Sequence, residues 1–278
     1  MNAKMACAAA LLCSMVLSGI SAASYVQINS PYNATLYNGG SIYLGKVGPG
    51  QTFYVDVIAN TTNSNGTLVE QGWGRLVATG LPAGWVAKNS GLYTNPLVIE
   101  VKPAADAANG TYSFNVTAQN LIGNSSGISP VTFTAYVNVT PNVFNLSVSP
   151  SSITEVTGEQ SNVYVTINNT GVSDNPFEIS ITGLPGVKIQ DLVIALHHTS
   201  KRFTYPIAVD TPGVYHANIN VQSTSSPAVN KTTQITLVAQ ANLLSDYSAI
   251  GKGAVVFPII YEPANAVMYL ISRLIKAI

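Results

Sequence analysis

Few residues in this 278-residue chain are arranged in a way that could do chemistry. The stretch GNSSG, at 123–127, satisfies the G-x-S-x-G pattern of a hydrolase nucleophile around Ser125. That nucleophile needs a sharp strand-to-helix turn, whereas this stretch joins two predicted strands, which favours a hairpin loop. His197 and His198 are adjacent, so in a strand they would point to opposite faces, and a zinc site needs several converging ligands. We predict no metal site.

The acidic side chains give no catalytic pattern either. The chain has 12 Asp and Glu residues, and none stands in a calcium-loop motif. A glycosidase needs two carboxylates that meet in the folded chain, and sequence spacing alone does not decide whether two of these do. We therefore predict a protein that is not an enzyme and has no cofactor, with a hydrolase left as an open alternative.

The composition limits the classes of partner. Charged residues make up 9% of the chain and the formal net charge is zero, against about 25% charged residues in ordinary globular proteins. Binding to nucleic acid depends on a surplus of Lys and Arg that neutralises phosphates, so we predict no nucleic-acid partner.

The first residues have the pattern of a secretory signal peptide. Residues 1–23 contain one lysine, an apolar run and then small residues, with Ser21 and Ala23 at the −3 and −1 positions of a cleavage point. An uncleaved N-terminal anchor is the alternative. Both cysteines, Cys7 and Cys13, lie in this segment. The exported protein would then hold no disulfide and would need large hydrophobic cores.

Two landmarks recur at an offset of 103 residues. GLPAGW begins at Gly80 and GLPGVK begins at Gly183, while NGTY ends at Tyr112 and PGVY ends at Tyr215. We interpret Gly-Leu-Pro as a turn at a sandwich edge, in which Leu fills the core and Pro ends strand pairing. A ligand loop used twice is the alternative.

A third landmark recurs at a larger offset. FYVDV begins at Phe53 and VYVTI begins at Val163, an offset of 110, so the first copy carries an insertion, which we place at 60–74. Copies with the same order of landmarks predict a duplicated domain. We assign 24–140 to the first copy, 141–241 to the second and 242–278 to a tail.

Apolar and polar residues alternate in both copies, as in strands with one buried face. The predicted inward residues in the first copy are Phe53, Val55, Val57, Ala59, Tyr112, Phe114, Val116, Ala118, Val131, Phe133, Ala135, Val137 and Val139, and in the second Val163, Val165, Ile167, Tyr215, Ala217, Ile219, Val221, Ile235, Leu237 and Ala239. About seven short strands per copy, separated by Gly- and Pro-bearing turns, are typical of an immunoglobulin-like sandwich. We predict an all-β fold of two tandem immunoglobulin-like β-sandwiches plus a C-terminal amphipathic α-helix.

The residues also resemble a known family. VGPGQTFYVDVIANT, GLPAGW and LVIEVKPAADAANGTYSFNVTA are similar to the NEW3 and CARDB-like immunoglobulin-fold modules of archaeal and bacterial envelope proteins. GEQSNVYVTINNTG, GLPG and TPGVYHANINV resemble a more diverged member, and the resemblance covers most of 45–240. It implies spacer, adhesive or accessory modules, and it transfers no catalytic residue.

The chain is rich in Asn-X-Ser/Thr triplets, the acceptor sites of N-glycosylation. Those on predicted strands fall on the polar phase and the others in turns or connections, so we expect dense glycosylation, with chance composition as the alternative. The ten candidates are Asn33, Asn60, Asn65, Asn109, Asn115, Asn124, Asn138, Asn145, Asn168 and Asn230. A surface of Asn, Thr, Tyr and sugar hardly titrates, which resembles the exterior of archaeal cells.

Both tryptophans lie in the first copy. Trp85, just after Gly-Leu-Pro, is expected to fill the core, whereas Trp73 between Gly72 and Gly74 is the candidate for exposure and for stacking on a sugar ring.

The tail predicts an amphipathic helix from Ala264 to about Ala277. Its apolar face comprises Val267, Met268, Leu270, Ile271, Leu274, Ile275 and Ile278. The helix is too short to span a bilayer. Three roles stay open: docking on a sandwich, lying in a membrane interface, or pairing with itself or another envelope protein.

The sequence thus predicts a non-enzymatic, exported cell-surface protein, a structural or adhesive component of an envelope or surface layer. Its expected partners are envelope or surface proteins or another copy of itself, and peripheral attachment through the tail is expected. The alternative is an accessory module that binds carbohydrate or protein.

Overall fold

The regular structure of the chain is β-strand. A computed structural model describes residues 23–62, 67–69, 73–121 and 129–241, and within these ranges it has eighteen strands and no helix. The predicted tail helix and most of the predicted signal peptide lie outside the described residues. The first strand begins at Ala23, the last residue of that predicted signal peptide.

Ten strands form the first sandwich, in two sheets. The strands are β1 (Ala23–Ser30), β2 (Ala34–Tyr37), β3 (Ser41–Val47), β4 (Phe53–Thr62), β5 (Leu68–Val69), β6 (Arg75–Thr79), β7 (Val86–Lys88), β8 (Leu97–Lys102), β9 (Gly110–Gln119) and β10 (Val131–Val139). One sheet has the order β2-β1-β4-β8-β7 with β5 beside β4, and the other has the order β3-β10-β9-β6. Their inner faces share one hydrophobic core.

Eight strands form the second sandwich. They are β11 (Phe144–Ser149), β12 (Ser152–Val156), β13 (Ser161–Asn169), β14 (Asn175–Leu184), β15 (Val187–Ala195), β16 (Ser200–Ile207), β17 (Gly213–Ser223) and β18 (Asn230–Gln240). The sheets have the orders β11-β13-β16 and β12-β18-β17-β14-β15, around a second core.

Both sandwiches have the strand order of the immunoglobulin fold. In that fold one sheet holds strands A, B, E and D and the other holds C, F and G. The first sandwich has β1, β4, β8 and β7 in one sheet and β6, β9 and β10 in the other. The second sandwich has β11, β13 and β16 in one sheet, with no equivalent of strand D. Its other sheet has β14, β17 and β18, and β15 is added beside β14. The chain crosses to the other sheet after β2 in the first sandwich and after β11 in the second. There β3 and β12 pair in parallel with the last strands, β10 and β18.

A tyrosine corner marks each copy independently. Tyr112 lies near the start of β9 and donates a hydrogen bond from its hydroxyl to the Ala108 carbonyl at 3.0 Å. Tyr215 lies near the start of β17 and donates to the Thr211 carbonyl at 3.1 Å. This contact is a hallmark of the immunoglobulin fold at this strand. The immunoglobulin-like fold therefore follows from this chain's own topology and contacts.

The predicted strand phases are confirmed. The inward residues named from the alternation are buried, except that Ala59, Tyr112 and Tyr215 are partly buried at the margins of the two cores. Phe53 and Phe114 contact each other in the first core, and Phe144 and Phe177 do so in the second.

The Gly-Leu-Pro landmarks lie at corresponding places, with one difference. Gly80 (φ 65°) follows β6 directly, whereas Gly183 (φ 92°) lies within a bulge near the end of β14, and the turn comes at Pro185 and Gly186. A Cβ on Gly183 would lie 2.4 Å from the His216 carbonyl oxygen, so this close approach of two strands requires glycine. Leu184 is buried, as expected.

The insertion lies where the offsets place it. The connection from β4 to β6 spans 63–74, and the equivalent connection from β13 to β14 spans only 170–174. Strand β5, within the insertion, pairs with the end of β4. The connection is at the end of the first sandwich that also holds Ala23, because Ala23 pairs with Thr62.

Candidate functional site: the junction between the sandwiches

The two sandwiches meet through loops that pack tightly on each other. The loop at 48–52 of the first sandwich faces the loops at 170–174 and 224–229 of the second. Val172 donates its N–H to the Lys46 carbonyl at 2.8 Å, and its side chain is buried in the first sandwich's core. The short connection between the sandwiches, residues 140–143, also contributes contacts. Thr140 donates its N–H to the Val47 carbonyl, and Val143 is buried in the second core.

A chain of buried hydrogen bonds crosses the junction. Gln51 is 0% exposed. Its Oε1 accepts from the Gly48 N–H at 2.9 Å, and its Nε2 donates to Ser223 Oγ at 3.2 Å. Ser223 Oγ donates in turn to Asn175 Oδ1 at 2.7 Å. We call these residues the Gln51 bridge. Burying a polar group costs free energy unless the group is hydrogen-bonded, so these bonds favour this one arrangement of the two sandwiches.

Two glycines let the backbones come this close. A Cβ on Gly45 would lie 2.7 Å from Val172 Cγ1, and a Cβ on Gly48 would lie 2.5 Å from Val229 Cγ2. The Ser173 hydroxyl also donates to the Thr52 carbonyl across the junction. A single carbon atom added at either glycine would therefore clash across the junction.

An open cleft of about 290 Å³ lies on one side of the junction. Both sandwiches line it, with Ser30, Tyr54, Asp56, Val98, Val172, Asp174 and His197. It combines an exposed tyrosine ring, two carboxyl groups and an imidazole, which suits recognition of a polar ligand.

The turn after β15 supplies the histidines. His197 Nδ1 lies 2.6 Å from Asp174 Oδ1, and the His197 N–H donates to the same oxygen at 2.8 Å. The His198 ring (φ 53°) lies 4.9 Å from the Tyr32 ring of the first sandwich, centroid to centroid. Both histidines thus lie in a turn at the junction rather than in a strand.

Burial shifts two titrating groups here. Burial, and then the charge of His197, lowers the pKa of His198 below its ordinary value. Burial raises the pKa of Asp56, and the charge of His197 opposes that rise. Within the described residues, no three His, Cys, Asp or Glu side chains group closely enough to hold a metal ion.

The expectation for Trp73 is wrong. Trp73 is 6% exposed and packs in the first core. The backbone beside it is paired on both sides: the Gly74 N–H donates to the Gln119 carbonyl at 2.7 Å, and the Tyr93 N–H donates to the Gly74 carbonyl at 2.8 Å. The Gly74 backbone is therefore held against Gln119 and Tyr93, and this segment does not form the exposed turn that its glycines indicated. The indole Nε1 of Trp73 is buried without a hydrogen-bond partner.

Trp85 fills the core, as expected. It is 7% exposed, and its ring lies 5.4 Å from that of Tyr112 and 6.3 Å from that of Phe114. The Trp85–Tyr112 contact ties the Gly-Leu-Pro turn to the tyrosine corner.

None of the described acceptor asparagines is buried. Asn33, Asn109, Asn115, Asn145, Asn168 and Asn230 are exposed, and Asn60 and Asn138 are partly buried. Asn65 and Asn124 lie outside the described residues, as does the predicted helix face of Val267, Leu270, Ile271, Leu274, Ile275 and Ile278. All eight described sites are accessible, and their use stays a prediction.

The sequence offered little sign of the junction. Gln51 and Ser223 are 172 positions apart, and Asp174 and His197 are 23 apart. In the part of the chain that the structure describes, no helix has the length and apolar character to cross a membrane.

Comparisons with known proteins leave the family open. No protein-family profile and no curated protein sequence matches this chain. Among solved structures, the D00-D0 domain of intimin matches at 14% identity over 77% of this chain and 99% of its own, with a TM-score of 0.26. The titin domains z1z2, in complex with telethonin, match at 15% identity over 78% of this chain and 98% of their own, with a TM-score of 0.26.

A third similarity is to part of an enzyme. A β-glucosidase from Listeria innocua matches at 16% identity and a TM-score of 0.25 over 36% of this chain, which spans only 16% of that enzyme. At such TM-scores none of these similarities carries an argument about function. The fold assignment depends on the strand order and the two tyrosine corners.

Proposed function

We propose that this chain is an exported, non-enzymatic protein of the cell exterior, a structural or adhesive component of an envelope or surface layer. The Gln51 bridge is the observation that carries the proposal. Tandem domains joined by small polar contacts move relative to each other by default. Here a fully buried glutamine and the insertion of Val172 into the first core hold the two sandwiches as one stiff unit.

The surface chemistry supports a place outside the cell. Only 9% of the residues are charged, and the acceptor asparagines are distributed over both sandwiches in accessible positions. Sugars on these asparagines would hydrate the surface in place of charges. The resemblance to NEW3 and CARDB-like modules of archaeal and bacterial envelope proteins agrees with this proposal.

Fractionation of the source cells tests the location. We expect the protein in the surface-layer or envelope fraction, with a mass above that of the bare polypeptide because of its sugars. Recovery in the cytosolic fraction at the bare mass would contradict the proposal.

Attachment is assigned to the tail. Full-length chains with Leu270→Asp and Leu274→Asp should be released into the medium, whereas Ser272→Asp, which lies outside the predicted apolar face, should stay bound. Equal retention of both variants would remove the tail from the mechanism.

The junction cleft supports a second candidate function, an accessory module that binds carbohydrate or protein. Tyr54 offers an exposed ring beside Asp56 and Asp174, a combination that suits a sugar or a basic side chain. A glycan array checks this candidate. We expect binding that is lost in Tyr54→Ala and kept in Tyr37→Ala, which alters a more exposed tyrosine outside the cleft.

A further inference from the structure

The outer edge of the second sandwich carries an exposed apolar row. Leu192, Ile194 and Leu196 are 66%, 55% and 53% exposed, and the first two lie on the outward phase of β15, directly before Leu196. We call this row the β15 edge. Single exposed apolar residues are ordinary, but a contiguous row marks an interaction site.

The backbone of β15 is also open to pairing. Among the described strands, β15 pairs with β14 alone, so the N–H and C=O groups along its other side have no strand partner. Proteins protect such edges by keeping them short or by placing charges or proline on them. Strand β15 has nine residues, and from Leu192 to Ala195 it carries neither a charge nor a proline.

The other sheet edges are protected. Strands β2, β6, β7 and β12 have five residues or fewer, and β3 contains Lys46. Strand β16 contains Lys201, Arg202 and Pro206. Strand β11 has six residues without a charge or a proline, and its protection depends on the predicted sugar at Asn145. Strand β15 itself carries Lys188 and Asp191 in its first part, so its unprotected stretch is Leu192 to Ala195.

Acceptor triplets are missing from the same region. The sequence has one at Asn168 and the next at Asn230, so β14, β15, β16 and β17 carry none. A sugar would block close contact between proteins. The bare region therefore agrees with a surface that another polypeptide covers.

We propose that the β15 edge binds the β15 edge of a second copy of this chain, in an antiparallel pair that joins two five-stranded sheets. The sequence is self-complementary about Ile194. In that register Ile194 lies opposite its symmetry mate, Leu192 lies opposite Leu196 of the partner subunit, and inward-facing Val193 lies opposite Ala195 of the partner subunit. Residues directly opposite in such a pair interact most strongly. Because the contact has a two-fold axis, it joins two copies and does not extend to a third.

A strand fits this edge better than the predicted tail helix does. A helix satisfies its own backbone hydrogen bonds, so it would cover the three side chains and leave the edge N–H and C=O groups unpaired. The row is smaller than a standard interface of about 1,600 Å². Association is therefore weak in dilute solution and is favoured where many copies are held together on a surface.

A disulfide across the two-fold axis tests the register. The full chain with Cys7→Ala and Cys13→Ala has no other cysteine, and Ile194→Cys then places two sulfurs at a distance suited to a disulfide. Gln190→Cys, on the same face, is the control, because its mate would lie eight residues away along the strands, about 27 Å. We expect a covalent dimer on mild oxidation from Ile194→Cys and its loss in Gln190→Cys. Monomer from both variants, or equal dimer from both, would overturn the proposal.

Sedimentation of the full chain gives a second readout. We expect a concentration-dependent rise in the sedimentation coefficient that Leu192→Lys with Ile194→Lys abolishes. Val214→Lys should keep the rise, because Val214 is 63% exposed on the same sheet face but lies away from the edge. If Leu270→Asp with Leu274→Asp abolishes the rise instead, the tail is the contact and the proposal is wrong.

The inference deepens the proposed function, from which it takes the surface setting, by naming a partner. Its tests use purified protein and measure association, whereas fractionation measures location. Each can fail while the other succeeds.

Discussion

Asn145 on β11 and Asn168 on β13 lie directly opposite each other, and each begins an acceptor triplet. Both side chains are exposed on the outer face of the three-stranded sheet. The Cβ atoms of directly opposite residues are only about 4.5–5.5 Å apart. Two sugar chains would compete for the same space above this pair.

We therefore predict that a single molecule carries a sugar at Asn145 or at Asn168, but not at both. Glycopeptide mass spectrometry on a fragment that contains both sites measures this directly. Asn145→Gln should raise occupancy at Asn168, whereas Asn33→Gln, in the first sandwich, should leave it unchanged. Frequent double occupancy would contradict the steric argument.

Removing the centre of the Gln51 bridge should destabilise the protein. Gln51→Ala leaves the Gly48 N–H without its acceptor and removes a partner of Ser223. Leaving a buried polar group unsatisfied costs about 1–3 kcal/mol, so urea unfolding should shift to lower concentration by that free energy. Gln27→Ala, which alters an exposed glutamine bonded to Asn60, should change the free energy of unfolding by less than about 0.5 kcal/mol.

A single methyl group at Gly48 should strain the junction. In Gly48→Ala the new Cβ would lie 2.5 Å from Val229 Cγ2 and 2.7 Å from the Gln51 side chain. Overpacking of this kind costs about 1–3 kcal/mol, measurable as a lower melting temperature. Val229→Ala in the same chain should recover part of the loss, and a fully additive double mutant would argue against direct contact. Gly110→Ala, where a Cβ would meet its nearest atom at an ordinary 3.9 Å, is the matched control.

Stability should fall in mild acid because of His198. The folded state lowers the pKa of this imidazole below its ordinary 6.5, chiefly through burial, so the folded protein binds the proton less tightly than the unfolded chain. The stabilisation is present above pH 6.5 and is lost as the pH falls from there through the folded-state pKa. His198→Asn, which tolerates the positive φ, should flatten the decline in urea-unfolding midpoint between pH 7 and pH 5. His216→Asn, on the exposed face of β17, controls for replacing any histidine. If the midpoint of His198→Asn declined with pH as steeply as before, the pH dependence would come from other groups.

Local patterns in the sequence predicted most of the fold. Alternation at Phe53, Val55 and Val57 identifies the inward face of β4, because the two-residue period is a property of each strand alone. The repeat places Tyr112 and Tyr215 in equivalent positions, and both form the same corner contact. The difference in offset also located the inserted connection at 63–74.

The junction could not be predicted in the same way. Gln51 is polar and follows a glycine-rich loop, so its pattern indicates exposure, and only the approach of Ser223 from the other sandwich makes its burial favourable. The expected exposure of Trp73 is wrong for a related reason. Flanking glycines indicate an exposed turn, but the Gly74 backbone pairs with Gln119 and Tyr93, and the Trp73 ring packs in the first core. Both cases depend on distant partners that no short pattern contains.

The parallel pairing of β3 with β10 and of β12 with β18 has a consequence for tension. The described chain begins at Ala23, at the far end of the first sandwich, and its last strand ends at Gln240, at the far end of the second. A pull on these two ends would slide the two strands of each parallel pair past each other along their length. Several hydrogen bonds of the pair would then have to break together rather than one after another. The molecule is thus built to stretch little before it yields.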